Sequence, residues 1–486
     1  MKTLLVVIGA SLSLVFSGDS VAVRPLISVD LIAPGPTPFI SFVRSRISDP
    51  IHLATISFTI LPKAGSQTRP VMATYSSAYL KKQGYFQLGS GKLSLPVFGL
   101  YQNRENMVIV RSSYTDGTTQ QNAIKISTPA YDGGTYTNPT IVQPRLQGTT
   151  LSYDFVLLKA SPTDDTPVII DSDAEVRWVG SAGPGGQKAL LYNNGIYVAA
   201  LTSLVRLEFD GRSQTLADYS DLGVTRFHHN FDYGRDGIVL DVTTTGFAQC
   251  VNIEVDATGK VLRSWNLADI ISAAMIAGGD DPTQFVSPEA PEWFHNNSTT
   301  YRASDNSLIV SSRENFVIAL DYDTGAIKWI LGDTSKRWYQ FPSLRAFALT
   351  LGPDTLAPIG QHAVSMVGDD LLLFDNGTAS SFEFPPGEMR TYAAPRKYSI
   401  AGNVATEIWH YLADPSIDSP FCSSVYEDAT NNYLIDYTLA GPYLSTDIVG
   451  LDETGSIAFY YSYQELDNCG TAFYANPIHL ENLQFN

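Results

Sequence analysis

His295-Asn-Asn-Ser-Thr-Thr-Tyr-Arg-Ala-Ser-Asp-Asn-Ser-Leu-Ile-Val310 reads as a strand that begins on a polar residue, turns, and leaves as an apolar run. The pattern returns at His229-Asn-Phe-Asp-Tyr-Gly-Arg-Asp-Gly-Ile-Val-Leu240, at His362-Ala-Val-Ser-Met-Val-Gly-Asp-Asp-Leu-Leu-Leu373 and at Ser424-Val-Tyr-Glu-Asp-Ala-Thr-Asn-Asn-Tyr-Leu-Ile435. The turns are Asp-Asn, Asp-Gly, Asp-Asp and Asn-Asn, residue types that tolerate hairpin geometry. Another strand pair follows each, twice with a clear turn at Asp256-Ala-Thr-Gly259 and Asp323-Thr-Gly325. A Trp-bearing strand then follows in three units, at Trp265, Trp329 and Trp409. Four strands over about 60 residues make a blade-like unit. Two weaker units fit upstream, over Ser152–Val179 and Leu190–Tyr219. The expected fold is all-β, with a six-bladed β-propeller over residues 135–486. Leu267 to Gly279 has helical character and is expected as an insertion between strands.

Upstream of the repeats the chain alternates polar and apolar residues between turn signals. Examples are Ile56-Ser-Phe-Thr-Ile-Leu-Pro62, Lys92-Leu-Ser-Leu-Pro-Val-Phe-Gly-Leu-Tyr101 and Asn106-Met-Val-Ile-Val-Arg111. Short strands at this spacing suggest a small β-sandwich, taken as residues 23–134 with a boundary at Asp132-Gly133-Gly134. The first residues run Met1-Lys2-Thr3, an apolar stretch from Leu4 to Phe16, then Ser17, Gly18, Ser20 and Ala22. That is a signal-peptide pattern over residues 1–22, with a hydrophobic run too short to span a bilayer. The expectation is an exported protein, periplasmic or extracellular. No later stretch reaches the ~20 apolar residues of a membrane-spanning helix.

Composition agrees with a β fold: 26 Tyr and 23 Phe suit pleated, half-buried surfaces, and 37 Gly with 27 Pro supply turns. A formal net charge of -18 argues against nucleic acid and against a polybasic membrane site, both of which recruit Lys and Arg clusters. An anion site in so acidic a chain must be compact and built from a few His, Arg or backbone N–H groups. The three cysteines are Cys250, Cys422 and Cys469. One disulfide with one free thiol is the simplest arithmetic in an exported chain, with Cys422–Cys469 as the candidate pair; three free thiols is the alternative.

Only seven His occur, and His229, His295 and His362 hold the equivalent position in three consecutive repeats. In a propeller the first strand of each blade lines the central channel, so the three converge at one mouth. Ser424 holds that position in the fourth unit. His228 is expected on the opposite face from His229 if the segment is extended. Asn297 falls on the side of His295 by strand alternation, and Arg313, past Leu308-Ile-Val310, is placed to bind an oxyanion. No carboxylate occupies an equivalent position and an Arg stands beside the cluster, so neither a metal nor another cofactor is expected.

Several runs resemble the bacterial arylsulfate sulfotransferases. They are Trp293-Phe-His295-Asn-Asn297 with Leu308-Ile-Val-Ser-Ser-Arg313, Ile318-Ala-Leu-Asp-Tyr-Asp-Thr-Gly-Ala-Ile-Lys-Trp-Ile-Leu-Gly332, and Gly360-Gln-His362-Ala with Leu373-Phe-Asp-Asn-Gly377. Phe227-His-His229-Asn, Phe421-Cys-Ser-Ser-Val425 and Pro96-Val-Phe-Gly-Leu-Tyr101 fit the same pattern. The resemblance implies a six-bladed propeller with an N-terminal β-domain, often a homodimer. It also implies ping-pong transfer of a sulfuryl group from an aryl sulfate to a phenolic acceptor, without a nucleotide donor. His362 would be the nucleophile, passing through a sulfohistidine. His229, His295, Asn297 and Arg313 would bind sulfuryl oxygens or assist the leaving group, with His228 and Ser424 contributing to substrate binding. Three features depart from the pattern: Ile359 replaces a common Trp, no Cys pair lies just upstream of His362, and Glu314 follows Arg313. Two other readings remain at this stage. One is a propeller that only binds glycans or proteins; the other is a quinone-dependent dehydrogenase, whose Trp motif recurs in every blade but is strong here only once. Asn297-Ser-Thr and Asn376-Gly-Thr are glycosylation sequons, read as coincidental because a channel-lining Asn cannot carry a glycan.

Overall fold

A computed structural model describes residues 28–161, 166–180, 186–466 and 468–486. The expected export signal, residues 1–22, lies outside the described residues. The described chain is nearly all β, its strands forming eight sheets. Two sheets belong to the N-terminal region: Ser28–Pro34, Ile40–Arg46, Lys92–Phe98 and Phe86–Gln87 in one, Leu53–Ile60, Val71–Ser76, Glu105–Tyr114 and Thr119–Ser127 in the other. Burial alternates along Leu53–Ile60 and Val71–Ser76, as expected for sheets with one covered face. Ile56, Phe58, Val71, Leu95 and Phe98 meet there in one core.

The other six sheets each contain a four-stranded antiparallel ladder. Their first strands pack side by side in chain order: Ala189–Tyr192, Val224–Tyr233, Asn296–Arg302, His362–Val367, Ser424–Ala429 and Tyr474–Ile478. Second strands such as Ser307–Ser312 and Phe155–Lys159 are buried throughout, because neighbouring sheets cover both faces. The expected turns hold: Asn306 and Asn431 take the left-handed conformation, at φ 53° and 63°. The repeated tryptophans wedge adjacent sheets together. Trp265 donates its indole N–H to the Tyr322 carbonyl of the next sheet, and Trp409 stacks on Tyr433 at 4.0 Å. The helix expected after residue 266 is Leu267–Ala277, capped by the Asn266 side chain.

Strands distant in sequence complete three sheets. Tyr474–Ile478 pairs with Phe155–Lys159, Thr140–Gln143 joins Ile457–Gln464, and Leu483–Phe485 runs parallel to Val71–Ser76. Cys422 and Cys469 form a disulfide and Cys250 is a buried free thiol. Among the described residues no helix is long and apolar enough to cross a membrane.

Candidate active site

The three histidines in register do meet. The ring centroid of His229 lies 5.2 Å from that of His295 and 5.3 Å from that of His362. His228 joins them, 4.8 Å from His295 and 5.1 Å from His229. The opposite-face expectation for His228 therefore fails, and the cause is local. Pairing with Ile238–Thr244 shifts register between Phe227 and Phe231, a bulge that breaks the alternation and turns both rings into one cluster.

Backbone strain marks the beginning of the first strand in three successive sheets. His295, Ala363 and Ser423 all have positive φ, at 49°, 52° and 75°. A non-glycine residue held there costs of order 1 kcal/mol, and such strain concentrates where a side chain must be aimed.

His362 is buried, and its proton can be placed from its neighbours. Asn376 Nδ2 donates to the carbonyls of Ser419 (2.7 Å) and Cys422 (3.1 Å), which fixes the amide with Oδ1 towards the histidine. His362 Nδ1 lies 2.7 Å from that Oδ1 and 3.0 Å from the Gly360 carbonyl, both acceptors only. Nδ1 thus carries the hydrogen, and Nε2 keeps its lone pair. His228 is held the same way, Nδ1 between the Asn296 carbonyl (2.8 Å) and Asp241 Oδ2 (3.1 Å). The Asp241 carboxylate also accepts the His229 backbone N–H.

His295 Nδ1 sits 2.8 Å from Glu292 Oε2, at an angle outside hydrogen-bond alignment. Arg313 donates to the same Glu292 oxygen at 2.6 Å and to Glu314 at 2.8 Å. Its guanidinium lies 5.5 Å from the Phe421 ring. Glu314 is further held by Ser380 Oγ (2.5 Å) and by the N–H groups of Ser381 (2.8 Å) and Phe382 (3.1 Å). Asn297 is buried and donates to the Gln361 carbonyl at 2.7 Å, bracing the strand that carries His362. Ser424 is also buried, and its hydroxyl is engaged with the backbone of Ala475. Both sequons lie at buried asparagines.

Sequence reasoning missed Phe473 and Tyr474. Phe473 lies 4.5 Å from His229 and packs beside the disulfide, and Tyr474 donates to the Asn297 carbonyl. Both reach the site through the closing strand, which lies outside the repeat, so no periodic signal announces them. Asn376 was legible as a sequon and as part of the Leu373–Gly377 run, but not as a partner of His362. Among the described residues no group of three or more His, Cys, Asp or Glu is arranged to hold a metal ion.

Burial keeps His229, His295 and His362 uncharged. Desolvation draws His362 down to about 3 and His295 to about 4, and lowers His229 well below its usual 6.5, each aided by neighbouring positive charge. Groups with a folded value depressed in this way take up protons on unfolding at pH below 6.5. Their contribution therefore destabilises the fold progressively as pH falls from 6.5 through the folded value. In the folded protein the ring signals of these three histidines should not titrate between pH 7.5 and 5, as read by two-dimensional NMR. An inflection near 6.5 in any of them would contradict the burial described here.

Residues 140–469 match the Arylsulfotransferase (ASST) family, and residues 49–129 match the Arylsulfotransferase Ig-like domain. A curated relative is the arylsulfate sulfotransferase AssT of Escherichia coli O6:H1 strain CFT073, 26% identical over 233 residues. The match covers 38% of this chain and 38% of that protein. Among solved structures, a europium-containing methanol dehydrogenase aligns over 77% of this chain and 78% of its own, at 9% identity and a TM-score of 0.31. BamB from Moraxella catarrhalis aligns over 68% and 98%, at 9% identity and a TM-score of 0.30. The chain belongs to the arylsulfotransferase (ASST) family.

Proposed function

We propose that this protein is an aryl-sulfate sulfotransferase that moves a sulfuryl group from an aryl sulfate to a phenol by a ping-pong route, without a nucleotide donor. The carrying observation is the His362 arrangement: Nδ1–H held by Asn376 and Gly360, Nε2 unprotonated among three further histidines. Family membership supports the reading.

In the first half-reaction the Nε2 lone pair attacks sulfur, an N–S bond forms, and the S–O(aryl) bond breaks with its electron pair leaving on the phenol oxygen. The sulfated ring carries positive charge, which the two acceptors on Nδ1–H stabilise. In the second half the acceptor oxygen attacks sulfur, the N–S pair returns to His362, and the acceptor's proton passes to a neighbouring imidazole. His228 is suited to that transfer, its Nδ1–H oriented by Asp241 as in an Asp–His pair. His229 and His295 bind sulfuryl oxygens as neutral donors. Asn297 and Ser424 act through the backbones of Gln361 and Ala475. The proposed frame is a six-bladed propeller over residues 135–486, behind an N-terminal β-sandwich at 23–134 and an export signal at 1–22, with a homodimer as the assembly.

The test is release of 4-nitrophenol from 4-nitrophenyl sulfate with and without added phenol, with intact mass after donor alone. Phenol-dependent release and a stable gain of one sulfuryl group support the proposal. Release independent of phenol would indicate hydrolysis instead, and absence of release across several aryl sulfates would count against the activity.

Arg313 has a specific place in this scheme, as a clamp joining Glu292 under His295 to Glu314. Lysine cannot span both carboxylates, because it is a point charge and not a fork. Arg313→Lys should lower kcat by about 10-fold or more, given the size of a lost charge-assisted pair. An unchanged rate in steady-state assays would remove Arg313 from the site.

A further inference from the structure

Positive charge is scarce where the proposed chemistry needs it. His229, His295 and His362 are neutral at pH 7, each shifted below its usual range by burial. Arg313 faces two carboxylates, Glu292 and Glu314, so that side of the site has no surplus cation. A sulfate ester brings a full negative charge into a chain whose formal net charge is -18.

Lys188 immediately precedes Ala189–Tyr192, the first strand of its sheet. His295 holds the corresponding place before Asn296–Arg302, and His362 opens His362–Val367. The strand after Lys188 packs beside Val224–Tyr233, which carries His228 and His229. Lys188 donates to Gln187 Oε1 at 2.7 Å and forms no ion pair among the described residues. Its field reaches His229, Asp241 and Arg226. Asp241 is already engaged by His228 and by the His229 N–H, and Arg226 is exposed and likewise without an ion pair among the described residues.

We propose that Lys188 is a further substrate-binding residue of this site, its ammonium holding a sulfuryl oxygen of the donor on the side opposite the neutralised Arg313. The inference rests on the sulfotransfer reading above. Arg226 adds positive potential on the same side. Burial and Arg226 draw the Lys188 ammonium down to about 8, while Asp241 opposes the shift. Anion binding should therefore weaken as pH rises through about 8.

Two readouts test the proposal on the full chain: binding of inorganic sulfate by calorimetry, and kcat/KM for 4-nitrophenyl sulfate. Circular dichroism melts serve as a folding check. Lys188→Met should weaken sulfate binding and lower kcat/KM on the order of 100-fold, the scale of losing one oxyanion donor, while Lys188→Arg retains much of both. Equal sulfate affinity in wild type and Lys188→Met would overturn the assignment, whether or not turnover occurs, as would absence of sulfate binding by the wild type. Sulfate binding that depends on Lys188, without turnover of any aryl sulfate, would uphold the anion site while refuting the sulfotransfer reading. Should Lys188→Met melt early, Lys188→Gln replaces it with the same two criteria.

Discussion

His362→Ala should lower phenol-dependent release of 4-nitrophenol by at least about 10³-fold, because removing a nucleophile removes the covalent route and not merely a contact. The variant should also fail to gain a sulfuryl group when treated with donor alone. The fold should survive. His362 lies at the beginning of a strand whose pairing partners are backbone groups, and the apolar centres of the adjoining sheets are formed by residues such as Val364, Leu371 and Leu373. The local penalty is an Asn376 oxygen left without its donor, worth about 1–3 kcal/mol. Thermal melts would show this as a modest shift. Added imidazole can enter the space vacated by the ring, so partial recovery of turnover with imidazole would separate lost chemistry from lost structure. Near-normal turnover in the unrescued variant would eliminate His362 as the nucleophile.

Breaking the Cys422–Cys469 disulfide should have the largest effect on stability. The bond closes a sequence separation of 47 residues. Chain entropy for a loop of that size corresponds to about 4 kcal/mol of stabilisation. Catalysis should suffer too, because the Cys422 carbonyl accepts from Asn376, and the disulfide packs on Phe473, which lies against His229. Cys469→Ala retains the Cys422 carbonyl yet frees both segments. The expectation is a lower melting temperature together with a reduced kcat. Calorimetry with and without reductant, paired with turnover, reads both effects. Unchanged melting on full reduction would show that the bond does not stabilise the folded chain.

The residues that announced themselves in sequence were those tied to the repeat. His229, His295 and His362 recur in register, and the Trp265, Trp329 and Trp409 strands mark the joins between sheets. Asn306 and Asn431 signalled left-handed turns. What stayed hidden was produced by departures from that period. The bulge at His228 overrides strand alternation, and nothing in Phe227-His-His-Asn230 specifies it. The unit aligned from Leu190 begins two residues after Lys188, so that residue fell outside the alignment. In the sequence Glu314 stood out only as a departure from the family pattern, directly after Arg313. Its partners show it instead as an anchor for Arg313 and for the loop at Ser380–Phe382. Such partners come from distant segments, which one sequence does not juxtapose.

The late strands Tyr474–Ile478 and Leu483–Phe485 complete sheets begun by Phe155–Lys159 and Val71–Ser76. During synthesis, a ribosome must therefore finish more than three hundred further residues, on the order of tens of seconds at 5–20 residues per second, before either early sheet has its last partner. Until then both offer unpaired strand edges, which recruit other chains as readily as their own. A nascent protein of this design benefits from chaperone cover, and it commits to its final form only once synthesis has passed residue 485. A break in translation between residues 363 and 473 would leave a polypeptide that holds all four of the site's histidines but lacks the strand that pairs with Phe155–Lys159.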